Sequence, residues 1–95
     1  MNNDRIEIIR KLIPILRDVE HVYCFGSALF VNAKPNDIDI LIIYQEYTNA
    51  ISQQIKKFAQ EAENASGLKV DLTILSKNEE KELRFLDRIS SLQFK

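Results

Sequence analysis

Gly26-Ser27 is followed, ten residues after the serine, by Asp37-Ile38-Asp39, and Asp71 stands inside a later apolar run. These residue types suit one kind of chemistry. Glycine lets backbone approach a phosphate closely. A serine hydroxyl and the free N–H groups that open a helix donate to phosphate oxygens. Carboxylates at i and i+2 of a strand leave on the same face, about 6.5–7 Å apart at their α-carbons. They can converge on a hard cation such as Mg²⁺, which takes oxygen ligands and keeps places for waters and substrate phosphates. A third carboxylate on an adjoining strand, about 4.8 Å across, completes a site for one or two ions. Such ions would stabilise charge on an α-phosphate and a leaving pyrophosphate, and Asp71 beside an attacking hydroxyl would orient or deprotonate it. Without metal, three crowded aspartates cost stability and at least one pKa rises.

The elements that must position these groups follow from periodicity. Ile6, Ile9, Ile13 and Leu16 recur at helical spacing from Asp4 to about Asp18, with Pro14 set to kink or restart the helix. Val22 to Phe25 reads as a buried strand halted by Gly26-Ser27, Ala28 to Val31 as a brief helix, and Asn32 to Asn36 as a loop. Asp37 to Tyr44 is the clearest strand; both of its faces turn apolar towards the end, as in a central strand. Thr48 caps a helix to about Ala65, with Ile51, Ile55, Phe58, Ala59 and Ala62 as its inner stripe and Gly67 as its stop. Lys69 to Leu75 is a third strand. Ser76 and Glu79 form a capping box, and a last helix is expected to Ser90 or beyond. The order predicts an α/β (α+β) fold, a small mixed β-sheet with flanking helices.

Size and composition bound the rest. Ninety-five residues make one domain. Apolar residues are 45% and charged residues 28%, an ordinary globular balance. A net charge of -1 with no basic run argues against a grip on duplex nucleic acid. No apolar run approaches the roughly 20 residues that cross a bilayer. The polar start Met1-Asn2-Asn3-Asp4 is unlike a secretory signal, and the lone Cys24 rules out an internal disulfide framework. A reducing cytoplasm is the expected location.

At these residues a resemblance emerges. The segments VYCFGSALFVNAKPNDIDILIIY and LKVDLTIL are similar to the nucleotidyltransferase superfamily that includes DNA polymerase β, and in particular to its minimal nucleotidyltransferases. That family's signature is a Gly-Ser pair, a gap of about ten residues, an Asp-x-Asp and a third carboxylate on a following strand. The resemblance implies that Gly26 and Ser27 hold a triphosphate, and that Asp37, Asp39 and Asp71 bind Mg²⁺ and carry catalysis. It implies the polymerase β-like fold, with transfer of a nucleoside monophosphate, AMP from ATP, to a hydroxyl. Minimal members are often paired with a HEPN-type helical protein as antitoxin and toxin, which makes a tyrosine of such a partner the expected acceptor. The chain departs from the pattern after Gly-Ser. Ala28-Leu29-Phe30-Val31 lacks the arginine and glycine that many minimal members carry, and Asn36 replaces a frequent serine. The alternative is a binding module that keeps the fold, turns over little, and neutralises its partner by occlusion.

Other residues carry plainer expectations. Lys34 and Lys69 are candidates for phosphate contact, Lys69 because it shares the face of Asp71; simple solvation is the alternative for both. His21 reads as a surface residue, Cys24 as a small hydrophobe, and Tyr44 and Tyr47 as packing at the sheet edge. Phe85, Ile89 and Leu92 beside Leu83 and Leu86 form a wide stripe, read as core packing with a partner face as the alternative. The oligomeric state is open, a homo-oligomer included.

Overall fold

The computed structural model describes residues 4–26 and 37–95. Ser27, Lys34, and the helix and loop expected over 28–36 lie outside the described residues. Helix α1 spans Asp4–Leu12 and passes into a 3-10 turn over Ile13–Leu16. Pro14 stands at the start of that turn, where its missing N–H and its clash with the preceding carbonyl end the α-helix. Strands β1 (His21–Phe25) and β2 (Asp37–Tyr44) precede helix α2 (Asn49–Ser66) and strand β3 (Lys69–Ser76). Helix α3 (Lys77–Leu83), a 3-10 turn over Phe85–Arg88 and strand β4 (Ser91–Gln93) follow.

The four strands lie in the order β3-β2-β1-β4. β1 is antiparallel to both β2 and β4, whereas β2 and β3 run parallel, joined by the α2 crossover. This is a mixed sheet with helices on it, as the element order predicts. Even-numbered residues Val22, Cys24, Ile38, Ile40, Ile42 and Val70 point to one face and pack with Ile6 and Ile9 of α1 and Ile51, Ile55 and Phe58 of α2. On the opposite face the far half of β2 is also apolar: Leu41 and Ile43 are buried. There α3 and its 3-10 turn cross the sheet, with Phe85 set edge-on against Phe25 at 5.4 Å between ring centroids. The near half of that face carries Asp37, Asp39 and Asp71.

Local signals account for the ends of elements. Thr48 Oγ1 accepts from the Ile51 N–H at 3.1 Å, and Gly67 closes α2 at φ 73°. Ser76 and Glu79 make the expected reciprocal capping box. Asp18 and Gln54 tie the 3-10 turn to α2: the Gln54 amide donates to the Asp18 carboxylate at 2.7 Å and accepts from the Asp18 N–H at 3.1 Å.

One expectation fails. The last helix does not reach Ser90; it stops at Leu83, because Arg84 turns left-handed at φ 52° and donates its N–H to the Glu80 carbonyl at 2.7 Å. The following residues form β4, which pairs with the free edge of β1 through Tyr23–Gln93, Cys24–Leu92 and Phe25–Ser91. The predicted apolar stripe is thereby divided between three elements rather than buried as one core. Leu83 is 46% exposed and Leu92 37%, while Phe85, Leu86 and Ile89 are half-buried. Among the described residues no helix is long and apolar enough to cross a membrane.

Phe58→Ala should lower stability to urea by about 3–5 kcal/mol, the cost of an emptied aromatic core site. Ser76→Ala should lose only about 1 kcal/mol, the worth of a cap. Equal losses would contradict the assignment of Phe58 to the shared core of the helices and sheet.

Candidate functional site

The parallel register of β2 and β3 builds the acidic cluster. Asp39 is paired with Asp71, and Asp37 with Lys69. Alternation then puts all four side chains on one face, at the end of the sheet where β2 and β3 begin. Asp37, Asp39 and Asp71 each offer a carboxylate oxygen, and these oxygens lie within 4.8 Å of one another. The donors are oxygen only, with no thiolate or imidazole among them, which fits a hard divalent cation such as Mg²⁺ better than a soft one.

Gly26 closes the neighbouring side. Its φ is +79°, a conformation that side-chain-bearing residues avoid, and a Cβ built there would collide with Oδ2 of Asp39. The bend at the end of β1 therefore needs glycine twice, for its backbone and for the space that the Asp39 carboxylate fills. Ser27, expected to share the phosphate-binding role, lies outside the described residues. Lys69 is where alternation places it, with Nζ 3.4 Å from Oδ1 of Asp71, and it is 72% exposed. It acts as counter-ion to the cluster and remains free to swing on its long stem.

The protonation of the cluster follows from this crowding. Asp71 is held below the usual carboxylate range, first by the hydrogen bond from Asp37 and then by Lys69. Asp37 is raised, chiefly because it keeps the proton shared with Asp71 and is also repelled by Asp71 and Asp39. Asp39 is raised by burial and then by the charge of Asp71. Behind the site, burial followed by the Asp39 charge pushes the Cys24 thiol up to about 11, so it stays a protonated small hydrophobe. His21 is half-buried, its Nδ1 3.3 Å from the Lys95 carbonyl oxygen, far along β1 from the carboxylates. Tyr44 and Tyr47 pack edge-on at 5.1 Å beyond the other end of β2.

Larger hollows are elsewhere, one of about 600 Å³ around Pro14, Arg17, Gln53 and Lys57. About 490 Å³ opens between α3 and the strand ends around His21, Ile43 and Gln45, and none of the three aspartates lines it. A smaller apolar cleft of about 260 Å³ touches the acidic site directly, since Gly26 lines it together with Phe25, Ile89 and Ser90. Sequence reasoning missed this cleft. Phe25 signals it in part, lying on the same face as the aspartates by alternation, but Ile89 and Ser90 arrive only through the β4 return.

The match to known families decides what this arrangement belongs to. The family model "Polymerase beta, Nucleotidyltransferase" covers residues 7–90. The chain belongs to this family. No curated protein matches it in sequence. Solved structures share the nucleotidyltransferase fold. A Sulfolobus solfataricus protein assigned as a nucleotidyltransferase aligns at a TM-score of 0.56 with 20% identity, over 94% of this chain and 80% of the other. A mutant toxin–antitoxin complex MntA–HpeT aligns at 0.62 with 19% identity, over 100% and 73%. The complex of a tri-AMPylated Shewanella oneidensis HEPN toxin with its MNT antitoxin aligns at 0.56 with 20% identity, over 96% and 71%.

Raised carboxyl pKa values at Asp37 and Asp39 stabilise the fold fully below the ordinary aspartate value of 3.8, and that contribution is lost as pH rises through the raised values. Asp71, shifted downward, contributes in the opposite sense, above 3.8. At neutral pH the metal-free protein is therefore strained at Asp37 and Asp39. Asp37→Asn should raise its melting temperature at pH 7 while abolishing the further rise on adding Mg²⁺. In the unaltered protein that Mg²⁺-induced rise should shrink as pH falls towards about 4. Gly26→Ala should displace Asp39 and weaken Mg²⁺ binding by about tenfold or more, a 1.4 kcal/mol effect at least; an unchanged calorimetric titration would contradict the Gly26–Asp39 contact.

Proposed function

We propose that the chain is a Mg²⁺-dependent nucleotidyltransferase that moves AMP from ATP to a hydroxyl of a protein partner. The acceptor is a tyrosine of a HEPN-type helical toxin, and the chain serves as the antitoxin. The observation that carries this reading is the meeting of Asp37, Asp39 and Asp71 within 4.8 Å, beside a glycine bend. Membership of the family supports the reaction class. The HEPN partner and AMP are suggested by the fold relatives, one of which is a complex whose toxin carries AMP.

In this reading Asp37, Asp39 and Asp71 hold the ion, which when bound supplies charge neutralisation at the α-phosphate and the leaving oxygen. The chain's own groups do the rest. Gly26 and Ser27 take the triphosphate against backbone N–H groups. Lys69 leaves Asp71 to pair with phosphate oxygens as the nucleotide arrives. Asp71, the carboxylate that stays ionised, accepts the hydrogen bond of the acceptor hydroxyl and orients it. The hydroxyl oxygen bonds to the α-phosphorus, the bond to the β-phosphate oxygen breaks, pyrophosphate leaves with that electron pair, and the hydroxyl proton passes by way of Asp71 to solvent.

The test is transfer of labelled AMP from ATP to the protein encoded beside this chain. The Asp37→Ala, Asp39→Ala double variant should lose labelling by about 100-fold or more. Equal labelling by the variant would refute the role of the cluster. Full neutralisation of the partner by the double variant would show that the chain works by occlusion, through surfaces such as the exposed Leu83 and Leu92.

A further inference from the structure

The cleft beside Gly26 has a shape and chemistry that the phosphate and metal groups do not use. About 260 Å³ in volume, it is lined among the described residues by Phe25, Gly26, Ile89 and Ser90. Its lining is nearly all apolar; the Ser90 hydroxyl is the one side-chain polar group among these four. Phe25 lines it and is packed in a T-shaped pair with Phe85, at 81° between ring planes. Ile89 also lines it, in extended conformation at φ -130° and ψ 157° on the backbone that leads into β4.

Two relations fix what this cleft can accept. It is smaller than the roughly 300–1,000 Å³ of pockets that take drug-sized ligands, so it admits one ring system rather than a whole nucleotide. It also starts at Gly26, whose α-carbon packs on the Asp39 carboxylate, so its occupant is joined to whatever sits at the metal site. An anionic phosphate has no partner against Phe25 and Ile89, whereas a flat heterocycle gains stacking and apolar burial. The other flank of the cluster is different. Asp71 lies on β3, at the far edge of the sheet, where its side chain is 42% exposed. A bulky protein acceptor fits that open edge, and the walled cleft on the β1 side is left for the small molecule.

We propose that the cleft formed by Phe25, Ile89 and Ser90 is the nucleobase subsite, taking a purine ring by stacking while the triphosphate lies at Gly26 and the aspartates. This rests on the nucleotidyltransferase reading above and adds what decides the choice of nucleotide. The lining described offers stacking and apolar area, so the larger purine ring binds better than a pyrimidine, and CTP and UTP bind less well than ATP.

The test compares Mg²⁺-ATP with Mg²⁺-tripolyphosphate, which has the anionic chain and no base, by calorimetry on the unaltered protein and two variants. Unaltered protein should bind ATP about tenfold more tightly than tripolyphosphate, the scale of one base–aromatic stack. Ile89→Ala removes a wall, and Ser90→Trp fills the cleft from an exposed position. Both should bring ATP down to the tripolyphosphate value and leave tripolyphosphate binding as it was, which also verifies that they are folded. Equal affinity for the two ligands in the unaltered protein, or an ATP preference kept by Ser90→Trp, overturns the subsite alone. If neither ligand binds the unaltered protein, the nucleotide reading itself falls and the subsite with it.

Discussion

The pairing of Asp39 with Asp71 across the parallel β2–β3 ladder is the constraint on which the rest depends. Parallel strands need a crossover, and α2 supplies it, capped by Thr48 and stopped by Gly67 so that β3 re-enters in register. A slip of one residue would turn Asp71 to the helix-covered face and leave Val70 among the carboxylates. The apolar residues guard against that slip. Ile38, Ile40 and Ile42 lie opposite Val70, Leu72 and Ile74, and they pack on α1 and α2 only in this register. Hydrophobic burial on one face thus holds together three like charges on the other. Their repulsion is borne by the core, and Lys69 beside Asp71 relieves part of it.

Much of this was legible because it is local. The run Asp37–Tyr44 carries its strand period and its double-sided apolar end in the residues themselves, and the strand has those bounds. The caps at Thr48 and Ser76 and the stop at Gly67 are side-chain or backbone chemistry of a few neighbouring residues. The acidic cluster was legible at one remove, since i and i+2 alternation fixes Asp37 and Asp39 but only the β3 register brings Asp71 to them. What escaped is the chain after Leu83. Arg84 adopts a left-handed conformation without being glycine or asparagine, and nothing in its type announces that. The three residues of β4 are too few to show a period, and their pairing comes from the free edge of β1 rather than from themselves. The Phe25–Ile89 cleft escaped for the same reason.

That return gives the sheet face its division of labour. The α3 segment and its 3-10 turn cover Leu41 and Ile43 and lead to Ile89 and Ser90 beside Gly26, with the three aspartates at the other end of that face. The roughly 490 Å³ hollow near His21 lies four residues further along β2 from Asp39, about 13 Å away at strand rise. It is too far to share a ligand with the acidic cluster. The acidic cluster is thus confined to one end of one face, held by strand beginnings that the core cannot move without moving itself.

The account is tested most directly by a crystal structure of the protein with Mn²⁺ in place of Mg²⁺, read by anomalous scattering. It predicts a peak bound to carboxylate oxygens of Asp37, Asp39 and Asp71 at about 2.0–2.2 Å, near the Mg²⁺–oxygen distance. A fully soaked crystal with no peak there, or with Asp71 turned away from Asp37 and Asp39, would contradict it.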